Sequence, residues 1–146
     1  GKVRDLKDDI VKIMKGETEK NHDVRRGATQ GLGELADAST VTALIQVFND
    51  DSVHEEIRRD AAIALGKIGG DAAVSALADK LGALQASKTA KDLRLDIVKA
   101  LTEAKNQKAV PVLKTVLDDE NADLHFHAAD ALFQITGDGY GYQRAG

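Results

Sequence analysis

Four histidines, one glycine-rich stretch and several paired carboxylates are the side chains in this sequence with chemistry to offer. A metal ion needs several such groups converging on one point. His125 and His127 are two residues apart, about 200° around a helix, and so diverge. His22 and His54 lie near helix starts in successive loops, where the two can approach each other, yet capping or solvation is the expected role. The expectation is therefore no metal. Asp50-Asp51 and Asp118-Asp119 fall at helix ends, with water as the expected partner and a weakly held surface cation as the alternative. Gly27, Gly31 and Gly33 give the segment GATQGLG the look of a phosphate-binding loop, but it follows no strand and lies inside an amphipathic helical pattern. Close helix packing is the expected reason for Gly27 and Gly31, four apart on one face, against their low helix propensity. Ser39, Ser52, Ser75 and Ser87 lack the strand–turn–helix context that activates a nucleophilic serine. No catalytic residue and no cofactor is expected.

Composition sets the elements that position these groups. The chain has 146 residues, 42% hydrophobic and 30% charged, which suffices for one folded domain without disulfides or a structural metal. Aromatics are only 3%, Trp is absent and Pro occurs once; Ala and Leu carry most of the apolar content, which favours helix throughout. The absence of Cys rules out a disulfide framework, a thiolate nucleophile, an iron–sulfur cluster and a Cys-based zinc site. No apolar run approaches the roughly 20 residues of a membrane helix, and no export signal is visible, so a cytoplasmic location without membrane contact is expected. The net charge of −4 and pI of about 5.5 supply no global basic field, which disfavours nucleic acid as a partner.

Self-comparison reveals an internal repeat. Val24–Asp37 (VRRGATQGLGELAD), Ile57–Gly70 (IRRDAAIALGKIGG), Leu93–Asn106 (LRLDIVKALTEAKN) and Leu124–Gly137 (LHFHAADALFQITG) align without gaps. Their columns Val24/Ile57/Leu93/Leu124, Ala28/Ala61/Ile97/Ala128, Leu32/Leu65/Leu101/Leu132 and Leu35/Ile68/Ala104/Ile135 draw one stripe along one helix face. An acid precedes each segment (Asp23, Glu56, Asp92, Asp123) and is expected to cap the helix or favour its dipole. Gly69-Gly70, Asn106 and Gly137 are expected to stop it. A shorter pattern lies between these segments: Val41/Leu44/Phe48, Val74/Leu77/Leu81 and Val110/Leu113/Leu117, with Val3, Leu6 and Ile10 at the start. The spacing predicts eight helices, roughly 3–15, 22–36, 39–49, 54–69, 72–85, 90–105, 108–118 and 122–136. They form four hairpins, over about 1–37, 38–71, 72–106 and 107–138, in a single domain over 1–146 with a tail at 139–146.

These residues resemble a known family. The run acid–Val/Ile–Arg-x-x-Ala-x-x-x-Leu-Gly-x-Ile-Gly is similar to HEAT repeats, in particular the short HEAT-like repeats named after phycobilisome lyases. It is carried by Asp23-Val24-Arg25 to Leu35 and by Glu56-Ile57-Arg58 to Gly69. The third unit departs at Leu95, Ile97, Val98 and Thr102, and the fourth at His125 and Phe133. The resemblance implies an all-α, right-handed α-solenoid whose second helices line the concave side. It also implies that Arg25, Arg58 and Arg94 form a structural ladder, each bridging the acid at the start of a neighbouring repeat, the alternative being an anion-binding ladder. His54-Glu55 is similar to the His-Glu pairs of the HEAT-repeat iron enzyme deoxyhypusine hydroxylase. That family places its pairs where this chain has Arg26-Gly27, Arg59-Asp60, Leu95-Asp96 and Phe126-His127, so the ligand set is missing.

A groove of helix faces offers contact area and no deep pocket, so a scaffold or adaptor for another protein or peptide is expected, and no enzyme. Arg26, Arg59, Lys67 and Lys99 are the candidate partners for acids, and Ile63, Leu95 and Phe126 the apolar contacts. A solvated basic face with inter-repeat packing at Leu95 and Phe126 is the competing reading. Two other functions follow from the resemblance: a chromophore lyase or its chaperone, although no Cys can hold a bilin, and nucleic-acid binding, which the acidic balance and scarce aromatics oppose. A monomer is expected. A dimer through the C-terminal face, near Phe126 and Phe133, is the alternative, unless Tyr140 and Tyr142 fold back over it.

Overall fold

The computed structural model describes residues 2–137, with side chains from Leu6 onward. Eight α-helices follow one another: α1 Lys2–Lys15, α2 His22–Leu35, α3 Val41–Asn49, α4 Glu55–Ile68, α5 Asp71–Ser87, α6 Lys91–Ala104, α7 Val110–Val116 and α8 Ala122–Thr136. Short 3-10 turns, Ala38–Thr40 and Gln107–Ala109, lead into α3 and α7. No strand occurs among the described residues. Helix ends agree with the periodicity to within a few residues. Pro111 lies in the first turn of α7, where its missing N–H breaks no helical bond.

The start and stop devices differ in part from expectation. Asn21 and Asn121 cap α2 and α8, accepting from the N–H groups of Val24 and Leu124, and His54 Nδ1 accepts from Glu56 N–H at α4. The acids Asp23, Glu56 and Asp123 instead sit inside the first turn, where they favour the helix dipole without capping. At the C-terminal ends, Gly69 and Gly137 adopt positive φ as expected, but Ala36, Lys88 and Lys105 do so as well. Asn106 does not end α6; its side chain accepts from Lys108 N–H and opens the next turn.

The stripe is the core. Leu32, Leu65, Leu101 and Leu132 are fully buried, as are Leu44, Phe48, Val74, Leu77, Leu81 and Leu113 from the intervening helices. The even helices pack α2 on α4, α4 on α6 and α6 on α8, while α3, α5 and α7 form the other layer. Hairpin thus stacks on hairpin, giving an all-α repeat fold of the solenoid type. At the N-terminal end the stripe comes to the surface: Leu6, Val24 and Leu35 are exposed, whereas Ile57, Leu93 and Leu124, in Val24's column, are covered and Ile68, Ala104 and Ile135, in Leu35's column, are half-buried.

Two glycines are dictated by this stacking. A Cβ on Gly66 would come within 2.7 Å of the Ala100 backbone in α6, and one on Gly33 within 3.0 Å of Ala64 Cα in α4. Gly27 and Gly31, the expected contact pair, would meet nothing within 4 Å. The close approach runs along the face carrying Gly33 and Gly66, nine residues after the first apolar position of each segment.

Candidate functional site

The outward edge of the even helices holds most of the residues singled out for partner binding, and several are already engaged within the chain. Arg26 of α2 donates through Nε to Asp60 Oδ2 of α4 at 2.8 Å and through Nη2 to Oδ1 at 3.3 Å. One repeat on, Arg59 of α4 donates through Nε to Asp96 Oδ2 of α6 at 2.6 Å. Lys67 of α4 reaches back to Glu34 of α2. Hydrogen bonding and charge from Asp60 and from Asp96 raise the Arg26 and Arg59 pKa values above their ordinary position, and Glu34 does the same for Lys67. Asp60 is buried beneath this layer, with Gln30 Nε2 as a further donor.

The ladder changes character along the molecule. The two arginine positions become Leu95 in α6 and Phe126 in α8, and the two aspartates are followed by His127. Leu95 is half-buried, Ile63 and Phe126 are exposed, and Lys99 is exposed without an ion pair among the described residues. Phe126 meets His127 edge to face, with ring centroids 5.3 Å apart. The face is therefore internally neutralised near α2 and α4 and apolar near α8. Shallow depressions lie between the helices, one lined by Arg26, Glu56, Arg59, Asp60, Ile63 and Asp96.

Arg25, Arg58 and Arg94 have backbone carbonyls as their principal partners. Arg25 Nε donates to Met14 O, Arg58 Nε to Val53 O and Arg94 Nε to Thr89 O. Each arginine ties its helix to the segment before it, which explains its recurrence at one repeat position. Arg94 alone adds a buried acid, donating through Nη1 to Asp119 at 2.8 Å in the turn before α8. Arg58 lies 3.8 Å from the exposed Asp51, and the bridges to acids inside the next even helix are those of Arg26 and Arg59.

At one edge of this face the N-termini of α2 and α4 bring His22, His54 and Glu56 together. His22 Nε2 donates to Glu56 Oε1 at 3.0 Å, and the two imidazole rings lie edge to face at 4.4 Å. Glu56 Oε2 accepts from Arg26 Nη1 at 3.3 Å. The His22 hydrogen bond, followed by the Arg26 charge, draws the Glu56 carboxyl below its ordinary pKa. Read singly, each histidine is a cap or a surface residue; their convergence depends on how α2 lies against α4. The sequence signal for the acid partners is also indirect. Asp60 and Asp96 occupy the column that holds Gly27 and His127 in the outer repeats, one position after the arginines. Tyr140 and Tyr142 lie outside the described residues.

Stacked hairpins with a repeated Arg-x-x-Ala-x-x-x-Leu face invite comparison with known repeat proteins. Residues 8–86, more than half of the chain, match the family model for HEAT repeats. The chain belongs to the HEAT-repeat family. Among curated proteins, deoxyhypusine hydroxylase-B of Oryza sativa subsp. japonica is 29% identical over 110 residues, covering 74% of this chain and 36% of that protein. Among solved structures, the complex of CpcE and CpcF of phycocyanin lyase from Nostoc sp. PCC7120 contains a similar chain. The TM-score is 0.56 with 19% identity, over 86% of this chain and 64% of the other. An engineered protein gives a TM-score of 0.55 with 22% identity, over 87% and 62% of the two chains. This HEAT-repeat chain thus spans about a third of the curated relative and under two thirds of either solved chain. Among its described residues, no helix is long and apolar enough to cross a membrane.

Proposed function

We propose that this HEAT-repeat chain is a docking scaffold for another protein, which it holds through the exposed edge of its even helices and the half-exposed phenylalanines of α8. One observation carries the reading. In α2 and α4 the positions of Arg26, Gly33, Arg59 and Gly66 are those that meet the next even helix. In α8 the same positions are Phe126 and Phe133, which remain 53% and 48% exposed. Two phenylalanines one helical face long, with Leu95 and Ile63 farther along, make an apolar strip of the kind that anchors protein interfaces.

Within the proposed site, Ile63, Leu95 and Phe126 supply contact area and Lys99 supplies a free charge at its rim. Arg26, Arg59 and Lys67 orient a partner less strongly than free bases would, because Asp60, Asp96 and Glu34 already compensate them. The same pairing supports binding over catalysis: the carboxylates in the depressions already accept from arginine. The phycocyanin lyase neighbour is a complex of two named proteins, which favours a protein partner for this chain too.

The test is affinity capture from lysate, identification of the captured protein, and titration of that purified protein against wild type and Phe126→Asp. A loss of about tenfold or more is expected, the size of a central apolar anchor. Equal affinity for the two forms overturns the reading. Light scattering separates a docked foreign partner from a homodimer: a monomer mass at all concentrations is expected.

A further inference from the structure

We infer that His22, His54 and Glu56 form a binding site for a first-row divalent transition-metal ion, best matched by Zn2+, that ties the first two hairpins together. The donors come from two repeats: His22 opens α2, while His54 caps α4 and Glu56 lies in its first turn. Their ligand atoms all lie within 4.8 Å of one another. In a tetrahedral zinc site with bonds of about 2.0–2.1 Å, neighbouring donors stand about 3.4 Å apart. Glu56 Oε1 is 3.0 Å from His22 Nε2 and 3.9 Å from His54 Nδ1, on either side of that spacing. Closing the set around an ion also requires His54 Nδ1 to give up the Glu56 N–H that it accepts at 3.1 Å.

The surroundings support the carboxylate. Arg26 holds Glu56 Oε2 and is itself fixed by Asp60, so Oε1 stays turned toward the imidazoles. Two imidazole nitrogens and one carboxylate oxygen suit Zn2+, Ni2+ or Cu2+; Ca2+ and Mg2+ prefer sets made wholly of oxygen. The three side chains are 36% to 59% exposed, which leaves room for a water ligand. Arg26 and the positive ends of α2 and α4 act against a cation, while Glu56 itself, Asp23 and Glu55 favour one. On binding, the proton of His22 Nε2 moves to Nδ1 and the ion takes the freed lone pair.

The experiment uses the whole chain and zinc chloride alone. Isothermal titration is expected to give one Zn2+ per chain, with a rise in Tm by mass action, while Mg2+ gives neither. His54→Asn retains a side chain able to cap α4. This variant and His22→Asn are each expected to weaken Zn2+ by about tenfold or more, and each should unfold near the wild-type temperature without metal. His125→Asn is expected to bind as wild type does. Absence of saturable Zn2+ binding, wild-type affinity in either ligand variant, or loss of binding in His125→Asn would each overturn the site.

Discussion

A carboxylate as buried as Asp60 requires a cation, and the neighbouring repeat provides one in Arg26. Asp60→Ala leaves that guanidinium only partly exposed and removes the acceptor for Gln30 as well. A loss of about 1–3 kcal/mol is expected in urea unfolding, below the cost of breaking a fully buried pair because water reaches Arg26. Asp119 has a different consequence. Its side chain is 8% exposed and accepts from Asn121 N–H, Gln85 and Arg94, and these bonds, led by Asn121, draw its pKa down to about 2. The folded value lies below the unfolded value of about 3.9, so the stabilisation is present above that pH and lost as pH falls through about 2. Wild type should exceed Asp119→Asn by about 1–2 kcal/mol near neutrality, a gap that narrows steadily below about pH 4. Denaturant midpoints at several pH values measure it. At this scale the sequence shows that Arg26 and Arg59 recur, but a recurring arginine beside a recurring acid is ambiguous between partner and neighbour until the helices are placed.

Helices stacked at short range make glycine a requirement in one place and a liability in another. Gly66→Ala forces a methyl into the Ala100 backbone, and overpacking of this kind costs about 1–3 kcal/mol. Gly27→Ala adds a methyl into open space inside α2 and gains about 0.5–1 kcal/mol of helix propensity. Thermal unfolding of the two variants should move in opposite directions. The glycines look equivalent in the sequence because periodicity identifies a shared helix face without identifying which neighbour approaches it. Capping is similar: an acid in the first turn and a cap one or two residues earlier are both plausible from composition, and only the Asn21 and Asn121 bonds separate them.

In a stack of hairpins each unit is stabilised chiefly by its neighbours, so protection should follow position in the array. α4 and α6 are flanked by even helices on both sides, whereas α2 and α8 stand at the ends of that layer. Amide hydrogen exchange is expected to be slowest in α4 and α6 and faster in α2 and α8. Uniform protection across all four would indicate one indivisible core. The half-exposed phenylalanines of α8 lead to a solution property as well. Phe126→Glu with Phe133→Glu should leave the far-ultraviolet helix signal at its wild-type level, because both rings are about half exposed already. Protein capture should nonetheless be lost, since the substitutions place charge on the proposed apolar strip.

The sequence alone determined the number of helices, their approximate extents, the leucine row they bury and the repeat that makes them stack. All of these depend on local periodicity: Leu32, Leu65, Leu101 and Leu132 lie inward whatever the exact angle between hairpins. Tertiary structure decided which charges cancel, as at Arg26–Asp60 and Arg59–Asp96, and which side chains converge, as at His22, His54 and Glu56. Those outcomes join residues more than 30 positions apart and turn on distances of a few ångströms. The displacement and rotation of one hairpin against the next set such distances, and a pattern written along the chain does not encode them.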